Sequence, residues 1–325
     1  MRVLVTGSSG HLGEALVRTL ASDGSEVVGI DLLASDSTDV VGSITDRSLI
    51  RSCMRDMDAV IHTATLHKPH IETHSHQQFV DTNVTGTLTL LEGAIAAGVR
   101  RFVFTSTTSL YGRANVPASG RPAAWIDEDV IPIPKNIYGA TKRAAEDLCE
   151  LFYVDNGLPC LILRTSRFFP ELDDNPELRG SYDDANIKLN ELLYRRVDLE
   201  DVVSAHLLAL RSADSVGFGR YVVSATTPFR QEDRAELRTD ASTVVRRLFP
   251  ECDAIYGRLG WRLFPSIERV YVNDRARAEL GWMPRYDFGS ALERLRMNED
   301  PRSPLALSIG AKGYHATATY PYTQR

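Results

Sequence analysis

The sequence predicts an α/β fold, a doubly wound parallel sheet with a small, partly interleaved C-terminal subdomain. Three observations carry this. The first thirty-one residues read as strand, glycine-broken turn, helix and strand; apolar strand-length runs alternate with helix-period segments to about Pro170; and short helical patterns between Pro/Gly turns follow from about 226 onward. Residues 1–170, with 198–225 returning to them, form the larger unit; 171–197 and 226–325 form the smaller one and a tail.

Arg2 to Thr6 is an apolar, β-branched run, and Thr6-Gly7-Ser8-Ser9-Gly10-His11-Leu12-Gly13 breaks it with three glycines. Gly7 permits a tight turn, Gly10 lets backbone approach a pyrophosphate, and Gly13 lets the helix lie close to the sheet. The first-turn N–H groups, those of His11 and Leu12 among them, then face the phosphates. Leu12, Leu16 and Leu20 recur at i, i+4, i+8 and give that helix one buried face. The second strand, Glu26 to Ile30, ends at Asp31, whose carboxylate accepts from both adenosine ribose hydroxyls and repels a 2′-phosphate. NAD is therefore expected rather than NADP. Asp46 either begins a helix as its N-cap or helps to bind adenine.

Val60 to Ala64 and Phe102 to Thr107 read as further strands, and Asn83 to Ala97 as a helix. His67, His70, His74 and His76 lie within ten residues. Such density suits a divalent ion, but there is no cysteine and no firm helical pair among them, so a polar cleft wall is the expectation and no metal is assigned. Arg113 to Asn136, with Pro117, Pro122, Pro132 and Pro134, reads as a long stiffened loop of the kind that borders sites.

The chemistry is carried by Tyr138 and Lys142 in Tyr138-Gly139-Ala140-Thr141-Lys142, which a helix places on one face. A phenol ordinarily titrates near ~10, so basic action at neutral pH demands a change worth roughly 4 kcal/mol. A neighbouring ammonium supplies part of that. Strand Cys160 to Arg164 is followed by Arg167, which either presents a planar fork to a carboxylate or phosphate or closes an internal ion pair. Only about twenty-seven residues separate Pro170 from the helix at Asp198.

With 325 residues, 43% of them hydrophobic, the chain can bury a substantial core. A net charge of −6 gives no reason to expect nucleic acid. Arg195-Arg196 and Arg246-Arg247 read as solvated helix faces. No run approaches the ~20 apolar residues of a membrane span, and residues 1–20 read as the nucleotide turn rather than a signal peptide. Cys53, Cys149, Cys160 and Cys252 show neither metal spacing nor a disulfide framework, so a cytoplasmic location is expected. The tail, Ser303 to Arg325, either folds over the cleft, reaches a neighbouring subunit or lacks order.

On Thr6 to Gly13 and Tyr138 to Lys142 the chain resembles the extended short-chain dehydrogenases, the family of sugar-nucleotide epimerases, 4,6-dehydratases and related reductases. The resemblance implies a Rossmann-type fold and an NAD-dependent oxidoreductase acting on a secondary alcohol of a sugar, sugar acid or related polyol, or else a UDP-sugar 4-epimerase that keeps its NAD. A regulatory protein that senses NAD without chemistry is the third possibility. The resemblance places Thr63, Ala64, Thr65, Thr105 and Thr165 beside the cofactor and makes Asn83, in Asn83-Val84-Thr85-Gly86-Thr87, the residue that orders the proton relay. Counting back from Tyr111-Gly112 gives Thr107 the catalytic hydroxyl, with a register error of one or two possible among Thr105 to Ser109. His67 is expected nearest the nicotinamide and, with Thr107 and Arg167, against the substrate. Ser43, before Ile44, stands where an acidic residue would contact adenine. Thr108 and Ser109 replace the acid–base pair of the dehydratases, which argues against that reaction. Relatives pair two helices per subunit, here Asn83 to Ala97 and Tyr138 to Asn156, so a homodimer is expected in which Leu88, Leu91, Ile95, Leu148, Leu151 and Phe152 serve either the interface or the core.

Overall fold

The computed structural model describes residues 1–173 and 175–313. Seven parallel strands form the central sheet in the order β3-β2-β1-β4-β5-β7-β8: β1 (Arg2–Thr6), β2 (Glu26–Asp31), β3 (Val40–Val41), β4 (Ala59–His62), β5 (Arg101–Thr107), β7 (Cys160–Thr165) and β8 (Phe218–Val223). Every residue of β4 and β7 is buried, as parallel strands covered on both faces require. The strand order reverses between β1 and β4, which opens a crevice at their carboxyl ends.

One face is covered by α1 (His11–Ser22) and α8 (Leu199–Val216), the other by α2 (Arg47–Cys53), α4 (Gly86–Ala97) and α5 (Ile137–Asn156). Asp46 is the N-cap of α2, accepting from the N–H groups of Ser48 and Leu49. The helix expected from Asn83 begins earlier: α3 (His76–Phe79) runs through a π-helical turn, Val80–Thr85, into α4. Its start was legible in Ser75 and Gln78, whose side chains reciprocally cap it. Of the six residues assigned to interface or core, Leu91 is fully buried, whereas Ile95 and Leu151 are 36% and 48% exposed.

A second apolar cluster joins α7 (Asp184–Leu192), α9 (Arg234–Leu248), α10 (Cys252–Leu259) and α12 (Phe288–Arg296), the last through Phe288 and Leu292. Between Pro170 and α7 lies the short α6 (Pro176–Ser181). The long proline-rich loop contains a strand, β6 (Ala124–Ile126), that pairs with β9 (Arg269–Tyr271). Its partner lies far along the chain, so no local pattern announces it. Within 226–313, α11 (Asp274–Leu280) and α13 (Pro304–Ile309) pack on the sheet side, where Trp282 is fully buried and donates to Asp201 O and Ser204 Oγ. Residues 314–325 of the expected tail lie outside the described residues. Among the described residues, no helix is long and apolar enough to cross a membrane.

Helix α5 is fixed to the sheet by a buried ion pair. Arg164, on β7, donates to both carboxylate oxygens of Glu146, which also accepts from Ser106 Oγ on β5. Arg164 also donates to Tyr111 Oη. Both partners are almost fully buried, at 3% and 1% exposed. Glu146→Ala should therefore cost about 3–5 kcal/mol in urea denaturation, because it leaves a guanidinium buried without its counter-charge. An Arg164→Met/Glu146→Leu double variant should lose much less.

Candidate active site

The glycine turn is built as its spacing requires. Gly7 adopts a φ of +73°, and a Cβ on Gly13 would lie 1.9 Å from Gly7 O, so only glycine lets α1 start there. Beside Gly10 the nearest protein atom to a Cβ would be Gly7 O at 3.3 Å, and nothing else lies within 4 Å. That opening faces a cleft of about 1210 Å³ lined by the turn, the ends of β2, β4, β5 and β7, and residues of the smaller unit. An open cradle at a helix N-terminus fits a pyrophosphate. Gly7, Gly10, His11, Leu12, Gly13, Asp31, Ser43, Ile44, Thr63, Ala64, Thr65, Thr105 and Thr165 all line it, as do Tyr138, Thr107, His67 and Arg167. Asp31 accepts from Ser9 N and Leu33 N, which aims its carboxylate at the cleft's glycine-turn end.

Asn83 and Lys142 stand behind the wall rather than in it. Asn83 Oδ1 accepts from Thr65 Oγ1 and Leu66 N, and its Nδ2 donates to Leu66 O and Thr141 Oγ1. These four bonds use the amide's full capacity. The proton-relay role inferred by resemblance therefore finds no free atom in this geometry. The side chain instead ties the loop after β4 to α5, and the π-helical turn is what aims it there.

Three residues to which the sequence reading gave no role in the site complete this corner. Thr87 donates to Asn83 O, so it accepts from His62 Nε2; His62 Nδ1 then accepts from Thr6 Oγ1. Thr6 Oγ1 also accepts from the N–H groups of Thr63 and Ala64. This relay holds the ends of β1 and β4 at the crevice. An alternation of Thr and His at strand ends was the only local sign of it.

Tyr138 is 8% exposed, and Thr107 is the hydroxyl that acts on its phenol. Thr105 points elsewhere, to His206 Nε2 on α8. Burial pushes the Tyr138 phenol up to about 12, against which the Thr107 bond works. The expected help from Lys142 is not among the influences on the phenol. Lys142 Nζ instead donates to Thr105 O at 2.6 Å and lies 3.9 Å from the centre of the Phe104 ring. Burial lowers its amine to about 7, despite Cys149 and Glu146. Burial thus favours the protonated phenol, and lysine's charge is directed at a carbonyl.

At the far end of the cleft Arg167 is ion-paired, 2.6 Å from Asp173 and 3.4 Å from Glu191, yet its side chain is 28% exposed. The internal pairing and the cleft position coexist. Arg195 and Arg196, expected on a solvated face, converge instead on the fully buried Glu191. Burial alone would raise that carboxyl, but Arg167, Arg195 and Arg196 hold it well below the usual range. Arg246 and Arg247 do lie on an exposed surface, paired with Asp253 and Glu236. Among the described residues no three His, Cys, Asp or Glu side chains converge as metal ligands. His67, His70 and His74 stack edge-on instead, with His67 also 5.3 Å from Phe169 and 6.5 Å from Tyr138 between ring centres. Lys68, Lys135 and Arg269 line the same end; sequence alone did not single them out.

The lowered Lys142 amine has a consequence for stability. The unfolded chain keeps this proton to about 10.4, whereas the fold releases it near 7. Between those values the unfolded state binds more protons, so raising the pH stabilises the fold, by at most ~1.4 kcal/mol per pH unit. Urea denaturation of the ligand-free protein at pH 7, 8 and 9 should show this slope, and Lys142→Met should flatten it. Parallel curves for the two proteins would contradict the buried amine.

Comparison with known proteins agrees with this geometry. Residues 3–224 match the family described as the NAD dependent epimerase/dehydratase family. A low-salt glycan biosynthesis protein, Agl12, of Haloferax volcanii is 34% identical over 52% of this chain and 57% of its own length. A UDP-glucose 4-epimerase of Rhizobium meliloti is 28% identical over 90% of this chain and 94% of its own. Among solved structures, a short-chain dehydrogenase/reductase superfamily protein from Agrobacterium tumefaciens with bound NAD superposes with a TM-score of 0.65 at 25% identity, covering 95% of this chain and 99% of that one. A Thermotoga maritima UDP-glucose 4-epimerase shares the fold, with a TM-score of 0.61 at 24% identity over 92% of this chain and 99% of its own. With its glycine turn, its tyrosine–lysine helix and this match over most of its length, the chain belongs to the NAD dependent epimerase/dehydratase family.

Proposed function

We propose that the protein is an NAD-dependent oxidoreductase that moves hydride at a secondary alcohol of a small anionic sugar or sugar acid. The observation that carries this is the Tyr138 phenol, which shares with Thr107 the wall of the cleft that the glycine turn opens. In this reading the first turn of α1 holds the pyrophosphate, Asp31 the adenosine ribose, Ser43 and Ile44 the adenine side, and Thr63 to Thr65 and Thr165 the nicotinamide half. Bound NAD supplies the hydride acceptor and, when oxidised, a positive charge that favours a phenolate. Tyr138 passes the proton of the substrate hydroxyl, Thr107 fixes that oxygen, and Lys142 holds the strand carbonyl that shapes the site's floor.

The anionic substrate is supported by charge at the far end. Lys68, Lys135, Arg167, Arg195 and Arg269 line it from five separate segments, while Asp173, Glu191 and Glu268 answer the arginines. Lys68 stands exposed at the rim, where partial desolvation and then the like charges of Arg167 and Lys135 depress its ammonium to about 8. A carboxylate or phosphate on the substrate would relieve that repulsion.

UDP-sugar 4-epimerisation is the second reading, favoured by the relative from Rhizobium meliloti, which matches along nearly the whole chain. A pairing of two copies through the exposed parts of α4 and α5 also belongs to the proposal, with Ile95 and Leu151 at the contact.

The test is a panel of sugar acids and nucleotide sugars incubated with NAD while NADH absorbance and product stereochemistry are followed together. Stoichiometric NADH with a ketone product supports dehydrogenation; inverted product without NADH supports epimerisation; turnover of neither class sinks both. Tyr138→Phe should lower kcat by about 10²–10⁴-fold and leave NADH binding, read by fluorescence, nearly unchanged. For an anionic substrate, KM should rise as the pH passes about 8, where Lys68 loses its charge. Lys68→Ala should raise KM at pH 7 about tenfold and remove that pH dependence, which parallel profiles for the two proteins would refute.

A further inference from the structure

Three segments remote in the chain meet at the glycine-turn end of the cleft, and their meeting point is one carboxylate. His11, the first residue of α1, is 4% exposed, with Nε2 2.8 Å from Glu171 Oε1. The same oxygen accepts the backbone N–H groups of Lys312 at 3.2 Å and Gly313 at 3.3 Å. Lys312 N also lies 3.3 Å from His11 Nε2, and its ammonium pairs with Glu14 on the first turn of α1. The ring of Phe169 stands edge-on to His11, 5.5 Å between centres. Just before the crossing strand, α13 packs on α1 and α8, and Gly310 and Gly313 take φ values of +62° and +64° that redirect the chain across the turn. His11, Phe169, Glu171, Ala311, Lys312 and Gly313 all border the cleft.

We propose that Glu171 latches the loop after β7 and the segment Ala311–Gly313 onto the pyrophosphate-binding turn, so that NAD is enclosed and leaves slowly enough to remain bound between turnovers. This rests on the NAD site proposed above. A carboxylate beside a phosphate site would repel the ligand if its charge were unmatched. Here burial, which raises a carboxyl, is overcome by the His11 bond and the backbone N–H groups, and Glu171 is held below its ordinary value as an anion. The latch therefore takes its partners from both sides of the cleft mouth. Exit of an enclosed dinucleotide requires these contacts to break together, a cost that falls on the dissociation rate. Retention also bears on the net reaction. A hydride returned to the same substrate needs its carrier to stay, whereas net oxidation needs the reduced carrier to leave. The clasp thus favours hydride return, with the substrate both oxidised and re-reduced at one carbon.

The experiment is stopped-flow release of NADH from the full chain, chased with excess NAD, for the parent, Glu171→Ala and Lys312→Pro. The second variant acts from the crossing segment, removing both the N–H donor to Glu171 and the ammonium paired with Glu14 while leaving the carboxylate itself in place. Thermal melts without cofactor report whether each variant is folded. Release at least fivefold faster in the folded variants, with cofactor no longer carried through purification, is expected. Folded variants that release NADH at less than that margin overturn the clasp, and if Glu171→Ala does not fold, Lys312→Pro decides alone. A parent that binds no NADH overturns the cofactor reading itself, an outcome distinct from parent binding with unaltered variant rates.

Discussion

The constraint on which the site depends is the burial of a charged stripe on α5 against the sheet. Tyr138, Lys142 and Glu146 recur every four residues, so one helical face carries a phenol, an amine and a carboxylate into the protein. Each needs a polar partner where it lands, because an unmatched buried charge is costly. Glu146 finds Arg164 and Ser106, Lys142 finds the Thr105 carbonyl, and Tyr138 finds Thr107. All of these partners belong to β5 and β7, whose register sets Thr107 directly opposite Thr165. The helix has one position in which the three are satisfied together, and that position aims the phenol at the cleft.

The electrostatics differ from a simple lysine-assisted base. Desolvation is the first influence on both Tyr138 and Lys142, and it drives them in opposite directions, the phenol up to about 12 and the amine down to about 7. Both residues are thereby moved toward neutrality in the absence of ligand. A phenol in that state gives a proton more readily than it takes one. A cationic ring brought alongside would supply the positive charge that the lysine here directs at a carbonyl. The cofactor then belongs to the acid–base machinery as well as to the hydride chemistry.

The two ends of the cleft use opposite devices for charge. At the glycine turn, backbone N–H groups and a helix terminus offer diffuse positive potential, and the nearby carboxylates Glu171 and Glu14 are engaged by His11 and Lys312. At the far end, discrete cations crowd around Glu191 and Asp173. A buried carboxylate beneath a cluster of arginines keeps those guanidinium groups in place without cancelling them all. The arginines are thus rigid, and the lysines at the rim, Lys68 and Lys135, carry the adjustable part of the charge.

What was legible from residues alone was whatever is encoded by short-range geometry. The glycine spacing, the acid at the end of β2, the amphipathic α1 and the tyrosine–lysine pair each depend on neighbours within a turn or a strand, and the strand alternation implied a parallel sheet. Glu146 was equally legible, one more step along the stripe, and the Ser75–Gln78 cap announced where the helix bearing Asn83 begins. The partners of these groups were not. That Asn83 is saturated by Leu66, Thr65 and Thr141, that Arg195 and Arg196 turn inward to Glu191, that β6 pairs with β9, and that Lys312 reaches Glu171 are all meetings between segments far apart in the chain. The sequence by itself determined the fold class and the kind of chemistry, because these follow from local periodicity and turn geometry. Tertiary structure decided which charges are matched and which face the cleft, because a side chain's electrostatic state depends on what packs around it, and that neighbourhood forms only when the sheet is assembled.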